Sequence, residues 1–177
     1  MGAVLEMPAS QKSVLHDQDF YSWAAEQARL LEKGDFEHLD IKNLVEEIED
    51  MGRSEENGLQ SAIEQALLHL TKLSFSPAEA PRNGWRTSVV KQRVEIEKKL
   101  RKNPGLKSKV DNLFAEAWFD ARTVAIAEMQ EYGESPTVPK DNPFSLENVR
   151  DPGFWPAAQN LEASRRRPRG MEPPRSR

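Results

Sequence analysis

Apolar side chains recur at three- and four-residue intervals in four long segments between about residues 17 and 132, and none of these segments alternates with the period of two that a half-buried strand requires. The pattern predicts an all-α fold. The first segment, 17–33, carries Phe20, Ala24, Gln27 and Leu31 on one stripe that Trp23 and Leu30 widen. Asp17 or Asp19 serves as its cap and Gly34 as its stop. The second follows Asp40, a good N-cap. It places Ile41, Leu44, Ile48, Met51, Leu59, Ile63, Ala66, Leu70 and Leu73 within a sector of about 120° if the helix never breaks. One helix of about 34 residues, about 50 Å long, would result. Gly52 and the Ser54-Glu55-Glu56 run also read as a helix end followed by a new cap. The continuous or kinked helix is the preferred reading.

The third segment, 83–102, turns Trp85, Val89, Ile96 and Leu100 inward. The fourth starts after Asn103, with Pro104 suited to a first helical turn, and runs through Leu106, Val110, Leu113, Phe114, Ala117, Ala121 and Val124 to Gly133. Trp118 and Phe119, like Trp23, look wide of these stripes. Connections of about 5 to 11 residues suit antiparallel neighbours. Residues 136–156 hold five prolines and three aromatics, so they are expected to wrap the helices as a strap pinned by Phe144, Leu146, Phe154 and Trp155, with a short helix from Ser145. The expected architecture is an antiparallel four-helix bundle with a long, continuous or kinked second helix and a Pro/aromatic C-terminal strap.

Charge divides the chain. Of its 177 residues, 161–177 hold six Arg against two Glu, a net of +4, which leaves -8 on residues 1–160. The tail has too little apolar surface to offset its ordering entropy. We therefore expect a flexible N-terminus at 1–14, a folded unit at 15–156 and a disordered Arg-rich tail at 157–177. No window reaches the length of a membrane span, and the N-terminus lacks the pattern of a signal peptide. A cytoplasmic location without membrane contact is the expectation. The chain has no Cys, which removes disulfides, thiol catalysis and thiolate metal sites.

Several runs are more specific than periodicity. They are Asp19-Phe20-Tyr21-Ser22-Trp23-Ala24-Ala25-Glu26-Gln27-Ala28, then Leu39-Asp40, then Asn43-Leu44-Val45-Glu46-Glu47-Ile48-Glu49-Asp50-Met51-Gly52. After them come His69-Leu70-Thr71-Lys72, Trp85-Arg86-Thr87-Ser88, Gln92-Arg93, Pro104 and Phe154-Trp155-Pro156. In this order they resemble the bacterial family called domain of unknown function twenty-nine, over about residues 15–156. Leu73, Ser74 and Leu15-His16 depart from that family's commoner aromatics. The resemblance implies a cytoplasmic helical bundle with no assigned activity.

Polar residues on apolar faces are the candidate site. Glu55 and Glu128 project near the centres of their stripes, Arg93 lies about 40° from its own, and Glu47 and His69 flank theirs. Together these five form a candidate interior polar network. A buried carboxylate needs a partner, and the fork of Arg93 suits Glu47 or Glu55. Interhelical ion pairing is the favoured role. A di-metal site would need Glu-x-x-His pairs from two helices, and Ala66, Asp35 and Ser13 stand three residues before the histidines instead. Along one helix, Glu47 and His69 would also be about 33 Å apart, and Glu55 and His69 about 21 Å. Neither a metal nor a cofactor is expected.

The run Glu46-Glu47-Ile48-Glu49-Asp50 is a solvated acidic face or a docking surface for a basic partner, because consecutive helical residues point about 100° apart. No phosphate-binding glycine loop and no Ser-His-Asp arrangement is present. The tail arginines and the basic face of the third helix allow nonspecific contact with nucleic acid, which the acidic body opposes. The expected function is a non-enzymatic protein-interaction or regulatory module acting on a protein partner or a second copy. The competing reading is a ligand- or metal-binding bundle with a polar interior site.

Overall fold

Local chemistry sets where each helix begins and ends. In the computed structural model, which describes residues 15–158, a helical turn at 15–18 precedes α1, Phe20–Lys33. The Asp19 carboxylate caps α1 by accepting the Ser22 N–H at 3.1 Å. At its other end Gly34 takes φ 70°, and the N–H groups of Gly34 and Asp35 return to the carbonyls of Leu31 and Leu30. That left-handed turn is why a glycine stands there. A 3-10 turn, Phe36–His38, leads to α2, Ile41–Phe75. Then come α3, Arg82–Lys102, a second 3-10 turn, Pro104–Ser108, α4, Val110–Glu131, and a short α5, Leu146–Arg150. No strand occurs among the described residues. The expected flexible N-terminus, and the Arg-rich tail from residue 159 on, lie outside them.

Helix α2 is a single helix of 35 residues that runs through Gly52 and Ser54, so no new cap forms there. The start of α4 differs from expectation. Pro104 opens the 3-10 turn, and the α-helix begins only at Val110.

The chain divides into two compact units, Met1–Ser54 and Glu55–Arg177, with the boundary inside α2. In the first, Asp40 is the organising residue. Its carbonyl accepts the Leu44 N–H at 2.9 Å and its carboxylate accepts from the Asn43 side chain at 2.8 Å, so it caps α2. The same carboxylate accepts the Trp23 indole N–H at 3.3 Å, and the Asp40 N–H donates to Gln27 at 2.8 Å. These bonds fix the rotation of α1, so Trp23, Gln27 and Leu30 are buried while Phe20 and Leu31 are about half exposed. Trp23 is thus a core residue, against expectation.

In the second unit the core joins Leu59, Ile63, Leu67, Leu70 and Leu73 of α2 to Val89, Ile96 and Leu100 of α3 and to Leu113, Ala117, Ala121, Ala125 and Met129 of α4. Trp118 is buried as well, while Val124, expected inward, is 39% exposed. The strap explains the rotation. Its prolines add carbonyl acceptors without N–H donors, and side chains of α3 and α4 supply what is missing. The Trp118 indole donates to the Lys140 carbonyl at 2.8 Å, and Arg122 donates to the carbonyls of Pro139 and Val138 at 2.7 and 2.9 Å. Phe144 meets Trp118 and Phe154 edge to face. Helix α5 is closed by a capping box in which Ser145 and Asn148 exchange side-chain and backbone bonds of 3.1 Å.

Arg93, 4% exposed, makes the largest of these contributions. Its guanidinium donates to the carbonyls of Val149 at 2.8 Å, Asn148 at 3.1 Å, Phe154 at 2.8 Å and Pro152 at 3.4 Å, with the Trp155 ring 4.9 Å away. Removing the side chain leaves those carbonyls without a donor in a packed site. Arg93→Ala is expected to lower stability by about 3–5 kcal/mol in urea denaturation, and Arg93→Lys to recover part of the loss. An unchanged midpoint for Arg93→Ala would show that the strap is held otherwise.

Candidate functional site

The five polar residues singled out by position do not form one network. Glu47, in the first unit, accepts from His16 Nε2 at 2.7 Å. The carboxylates of Glu47 and Asp17 raise the His16 pKa above its ordinary value. Glu55, in the second unit, binds Lys102 at 2.8 Å, Asn103 at 3.2 Å and Lys99 at 3.4 Å. Those cations, Lys102 foremost, hold its carboxyl below the usual range. A Cβ at Gly58 would fall 2.5 Å from Lys99 Nζ, so this glycine leaves room for the lysine to reach Glu55.

Arg93 binds the strap carbonyls rather than either carboxylate proposed for it, because α5 and the residues after it bring four acceptors into the reach of its fork. Glu128 pairs with Lys72. His69 has a buried Nδ1 with no partner, and burial, reinforced by Lys72, pushes its pKa down to about 4. Lys72 is the one residue that acts on two of the five, pairing with Glu128 and bearing electrostatically on His69. Among the described residues, no group of three or more His, Asp or Glu side chains is placed to hold a metal ion, and no helix is long and apolar enough to cross a membrane.

Lys72 was not singled out from the sequence. It is 8% exposed and lines a cavity of about 810 Å³ with Ala78, Ala80, Pro81, Trp85, Glu128, Met129, Glu131, Tyr132 and Glu134. The available signal was the run Ala66 to Ser76, apolar or small on nearly every side, in which a lysine must be buried and paired. Gly133 places Glu134. Its φ of 77° ends α4 with bonds from the Gly133 and Glu134 N–H groups to the carbonyls of Gln130 and Met129, and the Glu134 carboxylate then accepts the Ser76 hydroxyl at 2.8 Å.

A second feature lies on α2 within the first unit. Ile41, Val45, Ile48 and Met51 follow one another at helical spacing and are 55%, 50%, 65% and 71% exposed. The pattern places Ile41, Ile48 and Met51 on one inward stripe with Leu59 to Leu73, and of these only Leu59 to Leu73 are buried. Glu46, Glu49 and Asp50 are exposed beside them.

The family described as "Domain of unknown function DUF29" matches residues 15–155. No curated protein and no solved structure matches the chain.

The two shifted histidines give opposite pH dependences. His69 resists protonation when folded, so stability is expected to fall as pH drops from 6.5 toward 4 and to level off below that. His16 gains its proton more readily when folded, so its contribution is present at low pH and is lost as pH rises through its folded pKa. Urea midpoints measured between pH 4 and 8 should flatten on the acid side in His69→Gln and on the neutral side in His16→Gln. Profiles identical to the parent chain would refute the assignment.

Proposed function

We propose, starting from the premise that this chain belongs to the DUF29 family, that it is a non-enzymatic interaction module. The observation that carries the reading is the exposed apolar stripe Ile41, Val45, Ile48 and Met51 on α2. A contiguous apolar surface facing water is costly unless something covers it. Its surroundings indicate what does. Residues 15–54 hold eleven carboxylates against four Lys or Arg, a net of -7, and Glu46, Glu49 and Asp50 border the stripe itself. An identical surface on a second copy would oppose acid to acid. A basic amphipathic helix offers the complementary pattern, with an apolar face for the stripe and cations for its rim.

The reading extends to the rest of the chain. The spans 76–81 and 103–109 that join α2 to α3 and α3 to α4 are six and seven residues long, lengths that support antiparallel helix neighbours in a four-helix bundle. The folded unit is taken as 15–156, and the setting as cytoplasmic, with a regulatory or accessory role exercised through the partner.

Fluorescence anisotropy with a labelled, Lys-flanked Leu-rich helical peptide tests the surface. Ile48→Asp and Met51→Asp are each expected to weaken binding about 10-fold or more, as truncation of an interface anchor does, while leaving stability within about 0.5 kcal/mol because both positions are exposed. Undiminished binding by the double variant would sink the proposal. So would sedimentation showing a dimer that those variants dissolve, since the stripe would then serve a second copy.

A further inference from the structure

The end of α2, the start of α3 and the end of α4 line the cavity of about 810 Å³, a volume typical of small-molecule sites. Its walls combine an apolar part, including Pro81, Trp85 and Met129, with one cation and three carboxylates: Lys72 against Glu128, Glu131 and Glu134. The net charge of the lining is -2. An anionic ligand finds no free cation there, because the Lys72 ammonium already pairs with Glu128.

The structure displays one ammonium seat, since Lys72 occupies it. Its Nζ lies 5.6 Å from the centroid of the Trp85 ring while pairing with Glu128, so an aromatic face and a carboxylate serve the same cation. Glu134 is less well served. One oxygen accepts the Ser76 hydroxyl and the other, Oε2, is buried without a donor. Burial also lowers the Lys72 pKa, and the charge of Glu134 acts to raise it, so the two groups attract each other across the lining. A buried acceptor without a donor is an unfavourable arrangement that a second position of Lys72 would relieve.

We propose that this cavity binds an alkyl diamine. A dication neutralises the lining, its methylene chain packs on Pro81, Trp85 and Met129, and one ammonium takes the place between Glu128 and the Trp85 face as Lys72 turns to Glu134. The second ammonium meets Glu131, which is exposed. This site is independent of the apolar stripe on the first unit.

Isothermal titration of the full chain with 1,4-diaminobutane at pH 7 and physiological salt tests it, with n-butyrate as a probe of similar length and opposite charge. One saturable site per chain is expected, and no binding of butyrate. Glu128→Gln should weaken the diamine by about 10-fold and Trp85→Leu by about 5-fold, in line with a charge-assisted bond and a desolvated cation–π contact. Glu131→Gln, at an exposed position that folding does not depend on, should weaken it about 3-fold and keeps the test valid if a buried variant misfolds. Glu46→Gln, on the other unit, should leave binding unchanged. Equal affinity in the parent chain, Glu128→Gln and Glu131→Gln would reveal diffuse attraction to an acidic protein and overturn the proposal. Butyrate binding as tightly as the diamine, or no saturable heat with the diamine, would overturn it too.

Discussion

The second unit rests on a mismatch between donors and acceptors. A segment with five prolines in 21 residues brings carbonyls that no helix or sheet ladder can satisfy, and burying them unpaired would cost about 1–3 kcal/mol each. Arg93 meets four of them with one side chain, and Arg122 and Trp118 meet three more. An arginine suits this task because its fork carries five donors that keep their protons even where burial opposes charge. The Arg150–Glu97 pair, at 2.6 Å, ties α5 to α3 a second time. The strap is thereby part of the core: Val149 is fully buried, and Phe144 nearly so.

The first unit is organised by a different device. A single carboxylate, Asp40, caps α2 and also accepts the indole of Trp23, while its backbone N–H engages Gln27. The polar residue on the apolar stripe of α1 is therefore not a flaw in the pattern, because its amide oxygen receives a bond that the cap supplies. Helix α2 serves both units, yet its two halves meet unlike surroundings. From Leu59 on, the stripe is buried, whereas Ile41, Val45, Ile48 and Met51 are exposed in a strongly acidic neighbourhood. That contrast within one helix supports a surface role for the first half and a structural role for the second.

The polar residues of the interior separate by function in the same way. Glu55 is matched by lysines and Glu47 by His16, and both pairings serve to hold elements together. The Lys72, Glu128, Glu131 and Glu134 set differs, because three carboxylates and one lysine line a cavity and one Glu134 oxygen has no donor. Packing alone does not require that arrangement. A charged, aromatic-walled space at the ends of three helices is the kind of place where bundles hold small ligands.

Much of the fold was legible in the residues themselves. The 3.6 period gave the helical class, Asp19, Asp40 and Gly34 marked ends that the structure uses, and the stripe from Ile41 to Leu73 favoured a continuous or kinked helix through Gly52, where the structure has one helix. These are local signals, governed by capping, backbone freedom and side-chain spacing, so a linear reading can find them. What lay beyond it was which atoms meet across the chain. The side-chain pattern points Arg93 toward a carboxylate, because backbone carbonyls of a distant strap leave no trace in it. A projected stripe leaves Trp23 at its edge and Trp118 outside it because it cannot show that an indole N–H has an acceptor waiting, at Asp40 for the first and at Lys140 for the second. Periodicity and capping residues thus mark the helices and most of their ends, the start of α4 excepted. The rotation of each helix, the partners of the five polar residues and the cavity around Lys72 emerge with the folded chain, because those depend on hydrogen bonds and charge pairs between residues far apart in sequence.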